Sequence, residues 1–255
     1  MHVLWYIPIG LLVGTYGTII GAGGGFILVP LLLLLFPGDS PSVVTAASLA
    51  VIFVNSTSGT IAYARMKRIS YRTGILFALA TIPGALAGSY LTGFIPRKAF
   101  SLAFGILLTA VAVFLCVTRG RTPPHTRETA RPPAPNPWLG MGLSLAIGVL
   151  SSLAGIGGGL IHVPVLTYLF GFPVHIATAT SHFVLVFTSL AGVIMHVIDG
   201  SWPVHPVRDL CLAAGVVAGA QLGAILARRV PSRWIVLGLA AALGLVGVRL
   251  VVGAL

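Results

Sequence analysis

Two glycine stretches and a few neutral polar side chains hold the chemistry this sequence can do. Gly21 opens GAGGGFILVP and Gly155 opens GIGGGLIHVP. Adjacent glycines in an apolar helix are costly, each about 1 kcal/mol worse than Ala. Gly23, Gly24 and Gly25, and again Gly157, Gly158 and Gly159, therefore predict helix breaks. A break leaves amide N–H groups free, and a helix restarting at Phe26 or Leu160 adds the positive end of its dipole. Successive free amides suit an oxyanion. The competing role is close helix packing, as in small-xxx-small patterns, and that role is favoured for Gly84, Gly88, Gly219 and Gly223. Neither stretch is a nucleotide motif. Phe26 and Leu160 replace the last glycine of GxGxxG, and no Gly-Lys-Ser/Thr follows.

The side chains near these breaks are uncharged. Thr45 and Ser48 lie in VTAAS, Thr178 and Ser181 in ATATS, and His182 comes next. Asn55 and Gln221 are mid-run. Polar groups at membrane depth are expected to face a packed interior or a cavity rather than lipid. His182 and Gln221 are the strongest candidates, and the alternative for each is a hydrogen bond that ties helices together. His162 reads as such a tie, and His175 and His196, at run ends, as interfacial. Four histidines in the apolar runs of one half raise bis-His haem ligation. The first half has no equivalents, and such ligands come from facing helices. A zinc site lacks carboxylates and cysteines nearby. No metal and no cofactor is expected, and no nucleophile, base and acid stand together as an enzyme requires. Cys116 and Cys211 read as inert core thiols.

The elements that position these residues are membrane helices. The chain has 255 residues, 57% of them hydrophobic and 7% charged, with a mean hydropathy of +1.04. Soluble domains carry roughly 25% charged residues, so a soluble enzyme and a disordered chain are both excluded. The net charge of +11 reflects scarce acids, Asp39, Glu128, Asp199 and Asp209. The bases sit in short clusters between apolar runs, as loop anchors do, so nucleic acid is not the expected partner. The N-terminal stretch lacks a basic n-region and a small-residue cleavage site, and reads as mature protein. Apolar runs cover 3–36, 41–64, 73–95, 99–117, 138–172, 174–198, 207–227 and 234–252. A span needs about 20 residues. The run at 3–36 would be roughly 50 Å long as one helix, too long for a core of about 30 Å.

The two glycine stretches match at seven of ten positions. The match continues from Thr45 and Ser48 to Thr178 and Ser181, and from Pro96 to Pro231. Paired repeats are a common architecture of secondary transporters. The expected organisation is a first transmembrane repeat at 1–117, a cytoplasmic Pro/Arg-rich linker at 118–137 and a second repeat at 138–255. Each repeat has about four helical segments, the first broken at its glycines. If the broken run crosses once the repeats are parallel. If it is a hairpin they are inverted, which its length favours.

The doubled motif, each copy followed by Thr-x-x-Ser and a Gly-rich helix, resembles the sulfite exporter TauE/SafE family. The resemblance covers nearly the whole chain outside the linker. It implies a multi-pass cell-membrane permease, an exporter, for a sulfur-containing oxyanion such as sulfite or an organosulfonate. Carried over by position, it marks Gly23, Gly24, Gly25, Pro30, Thr45 and Ser48, and Gly157, Gly158, Gly159, Pro164, Thr178, Thr180 and Ser181. Ala47 stands where the second copy has Thr180, so the halves need not contribute equally. The expected partners are a small anion and the lipid bilayer, and a homodimer is compatible with this reading. An anion channel and a carriage of small carboxylates stay open as alternatives. Without an intramembrane carboxylate, the drive is movement of the anion itself or proton symport through His182.

Overall fold

The computed structural model describes residues 2–118, 137–227 and 232–254, so the linker expected at 118–137 lies almost wholly outside the described residues. Every regular element among the described residues is helical. A short turn leads into α1 (Tyr6–Ile20), followed by α2 (Gly25–Leu35), α3 (Pro41–Arg65), α4 (Tyr71–Thr92) and α5 (Arg97–Thr118). Then come α6 (Pro137–Leu153), α7 (Gly159–Pro164) with a π-helical turn (Val165–Leu169), α8 (Val174–Ile198), α9 (Pro206–Leu226) and α10 (Ser232–Ala254). Among the described residues, α3, α4, α5, α8 and α9 are long and apolar enough to cross a membrane. The shorter helices α1, α2, α6 and α7 are the pieces left by the glycine breaks.

The broken runs fold back on themselves. The rings of Tyr6 and Phe36 are 6.4 Å apart, and those of Tyr16 and Phe26 are 6.3 Å apart. A continuous helix would separate Tyr6 from Phe36 by about 45 Å. α6 and α7 do the same: His162 Nε2 lies 3.3 Å from Ser144 Oγ. The restarted helices begin at Gly25 and Gly159, one residue before the expected Phe26 and Leu160.

Packing interleaves the two halves. α1 lies along α9, α6 along α4, α5 along α10, and α3 crosses α8. The α3–α8 pair is antiparallel, because Thr45 meets His196 while Gly59 meets His182. Small residues set the close approaches. A β-carbon on Gly88 would stand 3.0 Å from the Leu153 nitrogen, and one on Gly219 2.9 Å from the Thr15 nitrogen. Gly84 and Gly223 likewise face the backbone of a neighbouring helix.

Charge collects at the end of the bundle that holds Asp39. The buried Arg208 sends Nε to Asp209 Oδ1 at 2.9 Å and Nη1 to Asp39 Oδ2 at 3.2 Å, with its guanidinium 4.6 Å from the Phe36 ring centre. Trp202 Nε1 donates to Asp209 Oδ2. Arg97 donates to the carbonyls of Leu33, Phe36 and Asp39, closing the C-terminal end of α2. Removing one partner of a buried pair costs about 3–5 kcal/mol. Arg208→Gln, which takes the countercharge from both Asp209 and Asp39, is expected to lower the thermal midpoint of the purified protein markedly. An unchanged midpoint would contradict this account of the cluster.

Two residue-level expectations change. Cys116 is exposed and Cys211 half-buried, not core, because a membrane bundle turns apolar surface to lipid as well as inward. His196 lies in the last turn of α8, at the end of its run, yet is fully buried, because α3 covers it at Thr45.

Candidate functional site

The two breaks meet where α3 crosses α8. The chain leaves α1 through Gly21 at φ 82°, Gly23 at 74° and Gly24 at 86°. It leaves α6 through Gly155 at 70°, Gly157 at 74° and Gly158 at 98°. The amides of Ala22 and Gly23 donate to the Gly17 carbonyl at 2.9 and 3.1 Å. Those of Ile156 and Gly157 donate to the Ser151 carbonyl at 2.9 and 3.4 Å. The next amides, of Gly24, Gly25 and Phe26 and of Gly158, Gly159 and Leu160, have no hydrogen bond among the described residues.

The breaks touch each other. A β-carbon on Gly25 would lie 2.8 Å from the Gly155 carbonyl oxygen, and one on Gly159 would lie 2.9 Å from Ala22 Cα. Ile52 of α3 and Leu185 of α8 fill the crossing, each packed on both Gly23 and Gly157. All of this is buried.

The expected side chains fall into three groups. Ser48 and Ser181 are reciprocal ties: Ser48 Oγ donates to the Gly155 carbonyl at 2.7 Å, and Ser181 Oγ to that of Gly21 at 3.1 Å. Each break is thus held by the other half's serine. Ser48→Ala deletes one such bond, worth about 1 kcal/mol net. The purified variant is expected to melt a few degrees lower, and an unchanged melt would deny the tie.

The second group surrounds the first break. Asn55 Nδ2 donates to the Gly23 carbonyl at 3.2 Å, and its Oδ1 lies 3.4 Å from Thr18 Oγ1. Thr18 Oγ1 is also 3.3 Å from His182 Nε2. Tyr63 donates to the Thr18 carbonyl at 2.8 Å and presents its ring to His182 edge-on. Gly59 makes room for the imidazole: a β-carbon there would stand 2.8 Å from Nε2. Thr178 Oγ1 is buried without a hydrogen-bond partner, and the buried His182 ring lies against the Gly21 backbone. Thr178 packs on Gly21 as Thr45 packs on Gly155.

The third group lies off the breaks. Gln221 spends its amide on Ser58, donating to the carbonyl at 2.8 Å and to Oγ at 2.9 Å, and so holds α9 to α3. His162 bridges the Gly158 carbonyl and Ser144. The sequence reading missed Thr18 and Tyr63, and the apolar pair Ile52 and Leu185. Thr18 could have been found as the hydroxyl one turn before the first break, a place Ser152 takes before the second.

Buried, neutral donors around free amides are chemistry for holding a small anion without a permanent countercharge. The sulfite exporter TauE/SafE family model matches residues 6–250. The chain belongs to this family. Among curated relatives of this chain, the probable membrane transporter protein YunE of Bacillus subtilis is 32% identical over 96% of both chains. A probable membrane transporter protein of Methanocaldococcus jannaschii is 30% identical over 74% of this chain and 70% of its own length. One from Xylella fastidiosa is 29% identical over 86% of this chain and 83% of its own. No solved structure matches significantly. TauE/SafE membership makes this protein a multi-pass membrane transporter.

Proposed function

We propose that the protein is a secondary transporter, working as an exporter, for a small sulfur-containing oxyanion such as sulfite or an organosulfonate. The anion is held between the paired glycine breaks and moves by alternating access. The observation that carries this reading is the pair of crossed, buried breaks with unpaired amides beside Thr18, Asn55, His182 and Thr178. The amides supply charge-assisted donors once an anion is present. Ile52 and Leu185 close the crossing, so the anion enters only when the break tips part.

The reading takes the halves as inverted repeats. The hairpins support it, as does the pairing of α1 with α9 and of α6 with α4. It places Arg65, Lys67, Arg68, Arg72, the four linker arginines and Arg228, Arg229 and Arg233 in the cytoplasm. Only Arg97, Lys98, Arg208 and Arg249 fall outside, as the positive-inside rule requires. A potential of 100 mV, inside negative, favours anion export by about 2.3 kcal/mol per charge.

The test is tracer flux in proteoliposomes holding sulfite, a short sulfonate, or acetate. The expected result is saturable flux, stimulated by the same anion on the far side and competed by sulfur oxyanions. Flux that is neither saturable nor stimulated from the far side would make the protein a channel. Preference for acetate would move the substrate class to carboxylates.

A further inference from the structure

α8 carries a second buried histidine that the substrate site does not use. His196 is fully buried near the outer end of the helix. Its Nε2 lies 3.3 Å from Thr45 Oγ1, and its Nδ1, which makes no hydrogen bond, lies within ion-pair reach of Asp199 Oδ2 at 3.5 Å. The Asp199 side chain is 21% exposed. Thr45 Oγ1 is also 2.9 Å from the Pro41 carbonyl and 3.1 Å from that of Ser42. On its other side, a β-carbon on Gly155 would stand 2.8 Å from Thr45 Cγ2. A line of contacts therefore runs from a partly solvated carboxylate, through an imidazole, to the second break.

We infer that His196 and Asp199 form a proton-binding site whose occupancy is transmitted to the second break through Thr45. The argument is one of donors and acceptors. Thr45 has one hydroxyl hydrogen. When it goes to the Pro41 or Ser42 carbonyl, Nε2 must donate to Thr45. Nδ1 then faces a carboxylate, which is favourable only if Nδ1 also carries hydrogen. That state is the imidazolium. In the neutral ring with Nδ1–H toward Asp199, the Nε2 lone pair instead takes the Thr45 hydroxyl hydrogen from the α3 carbonyls. Proton uptake thus switches the Thr45 bond, one turn before Ser48, which holds the Gly155 carbonyl.

Other titratable groups on the elements packed against α8 stand elsewhere. Tyr63 and Arg65 of α3 and Tyr71 and Arg72 of α4 lie at the cytoplasmic end, and Tyr90 is turned outward. His162 of α7 is held by Ser144 and Gly158. In α1, Tyr6 and Tyr16 pack on Phe36 and Phe26, and Tyr168 of the π-helical turn packs on Phe114. His205 pairs with Asp39. Asp199 is the acidic side chain set against the ring. The proton site rests on the transport reading only for what it drives.

The test needs no substrate. The full chain, labelled with ¹⁵N-histidine in lipid nanodiscs, is titrated from about pH 5 to pH 8, the range of imidazole ionisation. The expected result is an imidazole transition that is absent in His196→Gln. In Asp199→Asn its midpoint moves toward acid by about one pH unit or more, since the stabilising charge is gone. Thr45→Val moves it the same way, because the imidazolium loses its acceptor. A His196 signal that does not titrate overturns the proposal, and so does an Asp199→Asn or Thr45→Val midpoint equal to wild type. A protein that moves no sulfur oxyanion yet shows these shifts would sink the substrate reading and keep the proton site.

Discussion

Gly24→Leu and Gly158→Leu proteins are expected to reach the membrane and lose sulfur-oxyanion flux. Both positions sit at positive φ, 86° and 98°, where an L-residue costs about 1–2 kcal/mol. The space around them differs. A β-carbon on Gly24 would stand 2.8 Å from the Val13 carbonyl oxygen, a backbone atom that cannot turn away. At Gly158 the neighbours are the side chains of Ser151 at 3.1 Å and His162 at 3.2 Å, which can yield. Gly24→Leu should therefore be the more severe, and Gly158→Leu the better folded. Strain of 2 kcal/mol in one of two exchanging states changes their ratio by about thirtyfold, so a large fall in flux follows without unfolding. Gly38 is the control. It lies in the α2–α3 connection with open space about it, and Gly38→Leu is expected to transport as wild type. Normal flux in Gly158→Leu would remove the second break from the mechanism.

The second large effect is on assembly of the bundle. Gly215 of α9 abuts the Ile7 carbonyl, and a β-carbon there would stand 2.7 Å from the Leu11 nitrogen. Both contacts are with backbone, so Gly215→Val must push α1 off α9. Overpacking commonly costs 1–3 kcal/mol, and a rigid helix–helix contact belongs at or above the upper end. The expected outcome is a steep drop in monodisperse protein on size-exclusion chromatography and a lower thermal midpoint. Gly88→Val, at the matching α4–α6 contact, should behave alike. A Gly215→Val protein with wild-type melting would mean that α1 and α9 are not held as described.

Much of this was legible in the sequence because a membrane simplifies the rules. Long apolar runs had to be helices, and triple glycines had to break them. The doubled GxGGG stretch located both breaks before their geometry was known. Which side of each helix faced inward was not legible. Lipid and core are both apolar, so Cys116 in its run looked the same as a core residue and proved exposed. The same blindness hid His196, whose cover comes from Thr45, distant in sequence. Thr18 and Tyr63 were silent for another reason: each gains meaning only beside His182, which belongs to the other half. Gln221 misled in the opposite sense. A polar residue in an apolar run satisfies itself on any near acceptor, and Ser58 was nearer than a break. Arg208 and Asp209 stand at the start of an apolar run, and they are buried because the Arg208 guanidinium pairs with both Asp209 and Asp39.

Alternating access requires the crossed breaks to open in turn to the two sides of the membrane. Ala22 and Ile156, fully buried between their glycines, can be replaced one at a time by cysteine in a Cys116→Ser, Cys211→Ser background. Labelling by membrane-impermeant thiol reagents, added from one side and then the other, reads the opening directly. The account predicts that each cysteine is reached from both sides, never through a continuous path, and that sulfite or a short sulfonate slows the labelling. A variant that transports at wild-type rate while both cysteines stay unreactive from either side would contradict it.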